Sequence, residues 1–298
     1  MTPSGVLTHI ASHTQVYRFG KVAYDLRSRT HIMGILNVTP DSFSDGGKYF
    51  SQERAIAHAL EMVEEGADII DVGGESTRPK SASFGEGAEV VTAEEELRRV
   101  IPVIEALTKR VEVPISIDTH KSSVAVKALE AGAVIVNDIS GFTFDPEMPE
   151  VVARHGASAV IMHIKGTPKT MQLNPTYKDL FGDIIAHFQS SLALGEQRGI
   201  AQMMIDPGIG FGKTQEHNLQ LIAGLSRFAV LGYPVLVGPS RKTFIGNILN
   251  LPLAERLEGS LAAIVACVLN GAHVVRVHDV RAAKRAVLVA DSIKRAEA

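Results

Sequence analysis

Short, almost uninterrupted apolar runs recur along the chain, and a longer stretch with apolar residues at helical spacing follows each one. Runs of this kind are typical of strands buried on both faces, as in parallel sheets covered by helices. Eight runs predict strands over residues 31–38, 68–74, 114–119, 134–140, 158–163, 202–207, 234–240 and 274–280.

The segments between these runs predict helices. The segment 93–110 opens with acidic residues and closes on Lys109 and Arg110, which complements the helix dipole. Glycine is the residue expected just past a helix end, and it directly follows the predicted helices 122–131, 176–198 and 254–270. Another helix is predicted over residues 52–65.

Eight strand–helix units in succession predict an α/β protein with a (β/α)8 TIM barrel. An open, doubly wound sheet is the alternative, because the number of units does not by itself show closure. Residues 1–27 precede the first unit and predict a short N-terminal hairpin or cap, which leaves residues 28–298 as the barrel domain. No interdomain linker is evident.

Charge and cysteine content narrow the possible partners. The 298 residues carry 30 basic and 33 acidic side chains, a net charge of −3, which gives no reason to expect nucleic acid or an anionic membrane as partner. A single cysteine excludes an intramolecular disulfide and a multi-thiolate zinc site. Neither a signal peptide nor an apolar run of about 20 residues is evident, so a cytoplasmic protein is expected.

Polar residues collect where the predicted strands end. In a barrel these positions face one shared mouth, so their side chains are candidate site residues. Four of them follow apolar stretches that should carry them partly inward, where a charge is costly unless it is paired or bound to a ligand: Asp118, Asn137, Asp206 and Lys242. The full set is Asn37, Glu75, Thr77, Arg78, Asp118, Asn137, His163, Asp206, Ser240, Arg241, Lys242, Arg276 and His278.

This set suits a two-part ligand. The carboxylate and amide groups can bind a flat heterocycle with adjacent N–H donors, and Lys242 can meet a ring carbonyl or nitrogen. Arg276 and His278 are two apart on the last strand and share a face, so they suit a polyanion such as pyrophosphate. The alternative is a salt-bridged strand end with nearby Asp279.

Two standard motifs fail on spacing. The glycine-rich run 208–214 is similar to a phosphate-binding loop, but Pro207 stands where its first glycine is required. The run 238–242 is not a nucleophile elbow, because Lys242 occupies the place of the final glycine.

Seven ordered motifs together resemble the dihydropteroate synthase family. The resemblance extends from about residue 31 to residue 281, and motifs of this length in this order are specific. They are IMGILNVTPDSFSDGG (32–47), DVGGESTRP (71–79), DTHK (118–121), NDISG (137–141), DPGIGFGK (206–213), GPSRK (238–242) and VRVHDV (275–280).

The resemblance implies a pterin-binding (β/α)8 barrel that condenses 7,8-dihydropterin-6-ylmethyl diphosphate with 4-aminobenzoate, giving dihydropteroate and pyrophosphate in folate synthesis. It also implies a Mg²⁺ cofactor and a homodimer. Matching positions imply pterin contacts at Asp118, Asn137, Asp206 and Lys242, and diphosphate contacts at Thr77, Arg276 and His278. They further imply a Mg²⁺ ligand at Asn37, an aminobenzoate environment of Ser240, Phe211 and Pro79, and loop residues Phe43 and Arg78.

One departure from the family pattern lies after Pro79, where KSASFGEGAEVV is several residues longer than the usual connection. His120 also stands where the family commonly has other residues. Three other functions stay open at this point. They are a methyltetrahydrofolate–corrinoid methyltransferase, a Schiff-base aldolase using Lys242, and a non-enzymatic pterin-binding module.

Overall fold

The structure is a computed structural model that describes residues 16–39, 47–76 and 91–296, of which 47–51 as backbone only. The strands are β1 (Val16–Phe19), β2 (Val22–Asp25), β3 (His31–Asn37), β4 (Ile69–Gly73), β5 (Ile115–Asp118), β6 (Ile135–Asp138), β7 (Ser158–Met162), β8 (Met203–Asp206), β9 (Leu236–Val237) and β10 (Val274–Val277). The helices are α1 (Gly47–Glu64), α2 (Ala93–Leu107), α3 (Ser122–Glu130), α4 (Met148–Arg154), α5 (Leu180–Gln197), α6 (Gln215–Ala223), α7 (Thr243–Leu249), α8 (Leu257–Leu269) and α9 (Val280–Ala296).

The eight strands β3 to β10 form one parallel sheet in the order β8-β7-β6-β5-β4-β3-β10-β9. Its two outer strands meet, because Ile205 on β8 forms a parallel bridge with Val235 just before β9. The Ile205 backbone N–H also donates to the Pro234 carbonyl at 3.0 Å. The sheet therefore closes into a (β/α)8 barrel, which confirms the predicted fold and excludes the open sheet.

All eight predicted barrel strands are present, with some shorter than expected. Strand β9 keeps only two of its predicted residues, since Pro239 has no N–H to continue the ladder. Helix α5 begins at Leu180 rather than at 176, because Asp179 is extended with φ −137°.

The alternation along each strand separates two apolar layers. Outward residues such as Ile70 and Val72 pack against the helices. Inward residues near the strand starts, such as Met33 and Ile69, pack instead against Tyr17 and other residues of the N-terminal segment. The antiparallel pair β1–β2 therefore plugs the amino end of the barrel, as the predicted hairpin or cap should.

Within the described ranges, no helix is both long and apolar enough to cross a membrane.

Candidate active site

A cavity of about 390 Å³ opens at the carboxyl ends of the barrel strands. It is lined by nine of the residues predicted from the sequence, contributed by strand ends and loops far apart in the chain. They are Asn37, Glu75, Asp118, Phe211, Ser240, Arg241, Lys242, Arg276 and His278. The structure therefore brings most of the predicted site together in one place.

Two predicted pterin contacts lie beneath the cavity wall rather than on it. Asn137 is 4% exposed and donates from Nδ2 to Asp71 Oδ2 at 3.0 Å. Asp206 is 6% exposed, and its Oδ1 accepts the Gly208 backbone N–H at 2.7 Å. Both point into the barrel interior below the mouth, where a ring that enters deeply would meet them.

Arg276 occupies the wall between two carboxylates. Its Nε donates to Asp71 Oδ2 at 2.6 Å, and its Nη2 donates to Asp118 Oδ2 at 2.5 Å. Burial alone would lower the pKa of the guanidinium, but the charges of Asp71 and Asp118 outweigh it and raise the pKa. The expected alternative partner, Asp279, instead binds Arg241.

Asp118 has a carboxyl group that is poorly stabilised as an anion. Burial raises its pKa to about 7, and the charge of Asp71 adds to the shift while Arg276 opposes it. A carboxyl in this state gains from any ligand that donates an N–H to it.

Lys242 lies on the other side of the cavity. Its Nζ donates to the Ile209 carbonyl at 2.5 Å and stands 4.1 Å from the centre of the Phe211 ring. Burial lowers the pKa of its ammonium to about 7, although the nearby Asp206 carboxylate opposes the shift. Lys242 therefore offers a cation with weak compensation, which suits a ring carbonyl or nitrogen.

The last strand and the loop after β9 meet at Ser240 and His278. The Ser240 Oγ lies 3.0 Å from His278 Nδ1 and accepts the His278 backbone N–H at 3.3 Å. This contact orients the imidazole beside Arg276 on the same strand face.

Sequence reasoning missed Asp71 and Lys213. Asp71 is fully buried and holds Arg276 and Asn137. Lys213 is 2% exposed, and its Nζ donates to the Phe211 carbonyl at 2.8 Å and lies 3.0 Å from His163 Nδ1. An acidic residue within an otherwise apolar strand was the available signal for Asp71, and the lysine ending a glycine-rich run was the signal for Lys213.

Four predicted site residues, Phe43, Thr77, Arg78 and Pro79, lie outside the described residues. The described chain on either side of 77–90 is tied to the barrel. Glu75 lines the cavity, accepts the Val91 backbone N–H at 3.2 Å, and pairs with Lys121 at 2.5 Å.

Asn37 is the predicted Mg²⁺ ligand. Across the parts of the chain that the structure describes, no group of three His, Cys, Asp or Glu side chains is suited to a metal. Mg²⁺, however, commonly takes one or two protein oxygens and completes its shell with substrate phosphates and water. A side chain at Gly73 would come within 3.8 Å of Asn37 Oδ1 and 3.7 Å of Asp118 Oδ2, so the glycine keeps space open beside these oxygens. The donor set fits such an ion.

The closed barrel and the polar cavity at its mouth are typical of TIM-barrel enzymes. Acceptors inside the barrel and cations on the wall suit a polar heterocycle that carries an anionic tail, and TIM-barrel enzymes place their sites at this face.

Comparisons with known proteins identify the family. The pterin-binding enzyme family model matches residues 33–278. The dihydropteroate synthase of Synechocystis is 49% identical over 279 residues, covering 93% of this chain and 94% of that protein. The Bacillus subtilis dihydropteroate synthase is 46% identical over 287 residues, with 96% of each chain covered. The chain therefore belongs to the pterin-binding enzymes and, within them, to the dihydropteroate synthases of folate synthesis, which transfer a pterinylmethyl group.

Solved structures agree with the sequence relatives. The Yersinia pestis dihydropteroate synthase with a sulfonamide drug superposes with a TM-score of 0.87 at 42% identity, covering 94% of this chain and 99% of that chain. The comparisons favour the synthase over the methyltransferase, aldolase and non-enzymatic interpretations.

Proposed function

We propose that this cavity binds dihydropterin diphosphate and 4-aminobenzoate and joins them into dihydropteroate with release of pyrophosphate. The observation that carries the proposal is the single cavity at the barrel mouth. It unites Asp118, whose anion is poorly compensated, with the basic side chains Lys242 and Arg276 and the imidazole of His278.

The pterin ring enters with its N–H edge toward Asp118, Asn137 and Asp206. One oxygen of Asp206 is engaged by Gly208, so the other meets the ring. Burial raises the pKa of Asp206, which means that an N–H donor from the ring would stabilise its anion. Lys242 meets a ring carbonyl or nitrogen from the side of Phe211.

The diphosphate lies against Arg276 and His278. The resemblance implies a third contact at Thr77, which lies outside the described residues. In the structure Arg276 Nη2 is bonded to Asp118. Binding therefore exchanges this partner: Asp118 turns to the ring, and the guanidinium turns to the phosphate oxygens, while the bond to Asp71 persists. Arginine suits this role because its planar fork can bind phosphate oxygens in pairs.

The reacting carbon is a CH₂ group between an electron-rich ring and a diphosphate. Ring electrons can stabilise positive charge on this carbon, so the diphosphate can leave ahead of attack by the amine. The protein then needs fixed positive charge beside the departing oxygens rather than a nucleophile. An aromatic amine is largely neutral near pH 7, so no strong base is required either.

The 4-aminobenzoate lies near Ser240 and Phe211. The resemblance implies a further contact at Pro79, and it implies that Phe43 and Arg78 exclude water, which would otherwise compete with the amine at the reacting carbon. These three residues lie outside the described residues.

Asn37 would hold Mg²⁺ together with diphosphate oxygens and water. When bound, the ion supplies positive charge that stabilises the departing pyrophosphate.

The assembly and compartment are also proposals. A homodimer is supported by exposed apolar side chains on adjoining helices, namely Ile248 and Leu249 on α7 and Leu269 on α8. Light scattering of the purified protein tests it, and a monomer mass would contradict it. A cytoplasmic location is supported by the single cysteine, and cell fractionation tests it.

The proposed reaction is tested by measuring pyrophosphate release with and without 4-aminobenzoate. Release that depends on the amine is expected, and removal of Mg²⁺ with EDTA should reduce it to background until Mg²⁺ is restored. Release without the amine, or none at all, would contradict the condensation. Undiminished turnover in EDTA would remove the metal from the scheme.

A further inference from the structure

Asp71 is a carboxylate in the middle of an apolar strand. It is the third residue of β4, and its side chain is fully buried. Its neighbours Ile70 and Val72 face the helices, so Asp71 points into the barrel, one inward position above Ile69. A buried carboxylate is costly unless it is paired, so its contacts should explain its presence.

Both hydrogen bonds of Asp71 go to residues of the proposed site. Oδ2 accepts Arg276 Nε at 2.6 Å and Asn137 Nδ2 at 3.0 Å. These residues come from β10 and β6, each two strands away from β4 on opposite sides. One oxygen atom therefore links the predicted diphosphate contact to a predicted pterin contact across the barrel interior.

The geometry leaves Arg276 able to bind a ligand. A guanidinium has five N–H donors, and Asp71 uses only the one on Nε. The four on the Nη nitrogens remain for Asp118 or for phosphate oxygens. Arg276 and Asp118 line the cavity, whereas Asp71 does not. Asp118 can therefore exchange its partner for a ligand. Asp71 is 0% exposed, compared with 4% for Asn137 and 6% for Asp206, and both of its hydrogen bonds go to protein side chains.

We propose that Asp71 is a positioning residue for the transfer reaction. Through one shared oxygen it fixes the side chains of Arg276 and Asn137, so that the diphosphate and the ring are held in the correct relative position. This inference rests on the proposed function, because that function assigns Arg276 to the diphosphate and Asn137 to the ring. Asp71 itself touches neither substrate.

The chain offers a matched control at the start of the same strand. Asp68 directly precedes β4, is also buried, and pairs with Arg29 at 2.6 Å. It lies at the opposite end of the barrel. Asp71→Asn and Asp68→Asn therefore each remove one buried charge from an ion pair with arginine, but only the first touches the site.

The experiment measures binding and turnover separately. Calorimetry uses 6-hydroxymethylpterin as a probe of the ring subsite and inorganic pyrophosphate as a probe of the anion subsite. Asp71→Asn should weaken both affinities by about tenfold and lower kcat by about 10- to 100-fold, by analogy with the loss seen when a partner that orients a metal-ligating side chain is removed. Asp68→Asn should lower the melting temperature and leave both affinities and kcat within about twofold of the wild type.

A second variant leaves Asp71 in place. Arg276→Lys replaces the guanidinium fork by three N–H donors on one nitrogen, so Asp71 and phosphate compete for the same group. Pyrophosphate affinity should therefore fall while ring affinity is retained through Asn137. Wild-type kinetics in Asp71→Asn, or equal losses in the Asp68 control, would overturn the positioning role. So would wild-type pyrophosphate binding in Arg276→Lys. Failure of the wild type to bind either probe or to release pyrophosphate would instead count against the proposed function.

Discussion

The pKa values of buried carboxylates are shifted in opposite directions at the two ends of the barrel. At the amino end, Asp68 accepts two hydrogen bonds from Arg29, at 2.9 and 2.6 Å, and one from the Ile32 N–H. Burial alone would raise the pKa of Asp68, but these partners lower it below its ordinary value. At the carboxyl end, burial raises the pKa of both Asp118 and Asp206, and their protein partners offset this shift only in part.

The difference shows which end is built for stability and which for a ligand. Charges at the amino end are satisfied by the protein, beneath a plug formed by the β1–β2 hairpin. Asp118, Asp206 and Lys242 at the mouth are kept in a state that an incoming ligand would improve. Preorganised but uncompensated groups of this kind are typical of binding and catalytic sites.

The largest effect is expected from Asp206→Ala at the mouth. It removes the carboxylate that meets the ring, so the affinity for pterin diphosphate should fall by more than about 100-fold, as expected when a buried charged partner is lost. The melting temperature should change little, because burial already disfavours the Asp206 anion. Calorimetry measures the affinity, and thermal unfolding measures the melting temperature. Wild-type affinity would remove Asp206 from the ring contacts.

Lys242→Met should lower kcat/KM by about 100-fold, the effect of removing one electrostatic contact in an active site. The free energy of unfolding should be unchanged or increased, because burial lowers the pKa of Lys242 and the folded state therefore disfavours its charge. Lys284→Met is the control, since Lys284 lies 3.7 Å from Asp68 at the amino end. Equal losses of kcat/KM in both variants would contradict the distinction between a ligand-binding mouth and a structural amino end.

The pH dependence of kcat/KM should be a narrow bell centred near pH 7. Below the pKa of Asp118, about 7, the carboxyl is protonated and no longer accepts from the ring. Above the pKa of Lys242, also about 7, the ammonium loses its proton. Each limb should fall about tenfold per pH unit. Steady-state kinetics from pH 5 to about pH 9 measure the profile, and a flat profile would exclude these two groups.

The smallest kinetic effect is expected from Arg29→Ala at the amino end. It should reduce the free energy of unfolding by about 1–3 kcal/mol at pH 7, toward the lower figure because the Arg29 side chain is 36% exposed. Since the folded state lowers the pKa of Asp68, this contribution is present above about pH 4 and is lost as pH falls and Asp68 is protonated. Denaturant unfolding at two pH values checks it, and kcat/KM should stay within about twofold.

Local patterns were enough to predict the units of the fold. Continuous apolar runs gave the eight strands, because both faces of each strand are buried. They also singled out Asp118, Asn137 and Asp206 as polar exceptions at strand ends. Asp71 escaped the same reasoning because it lies in mid-strand, where its partners cannot be read from neighbours in the sequence. Its bond to Arg276 spans 205 residues.

The sequence by itself determined the order of strands and helices, the chemical types available at the strand ends, and the family of the chain. Only the tertiary structure decided which of these groups meet. Closure between β8 and β9 rests on backbone bonds at Ile205, which any apolar strand could make. The placement of Arg276 between Asp71 and Asp118 depends on strand register and barrel curvature. Secondary structure follows from local periodicity, whereas a buried charge finds its partner only when distant strands are brought side by side.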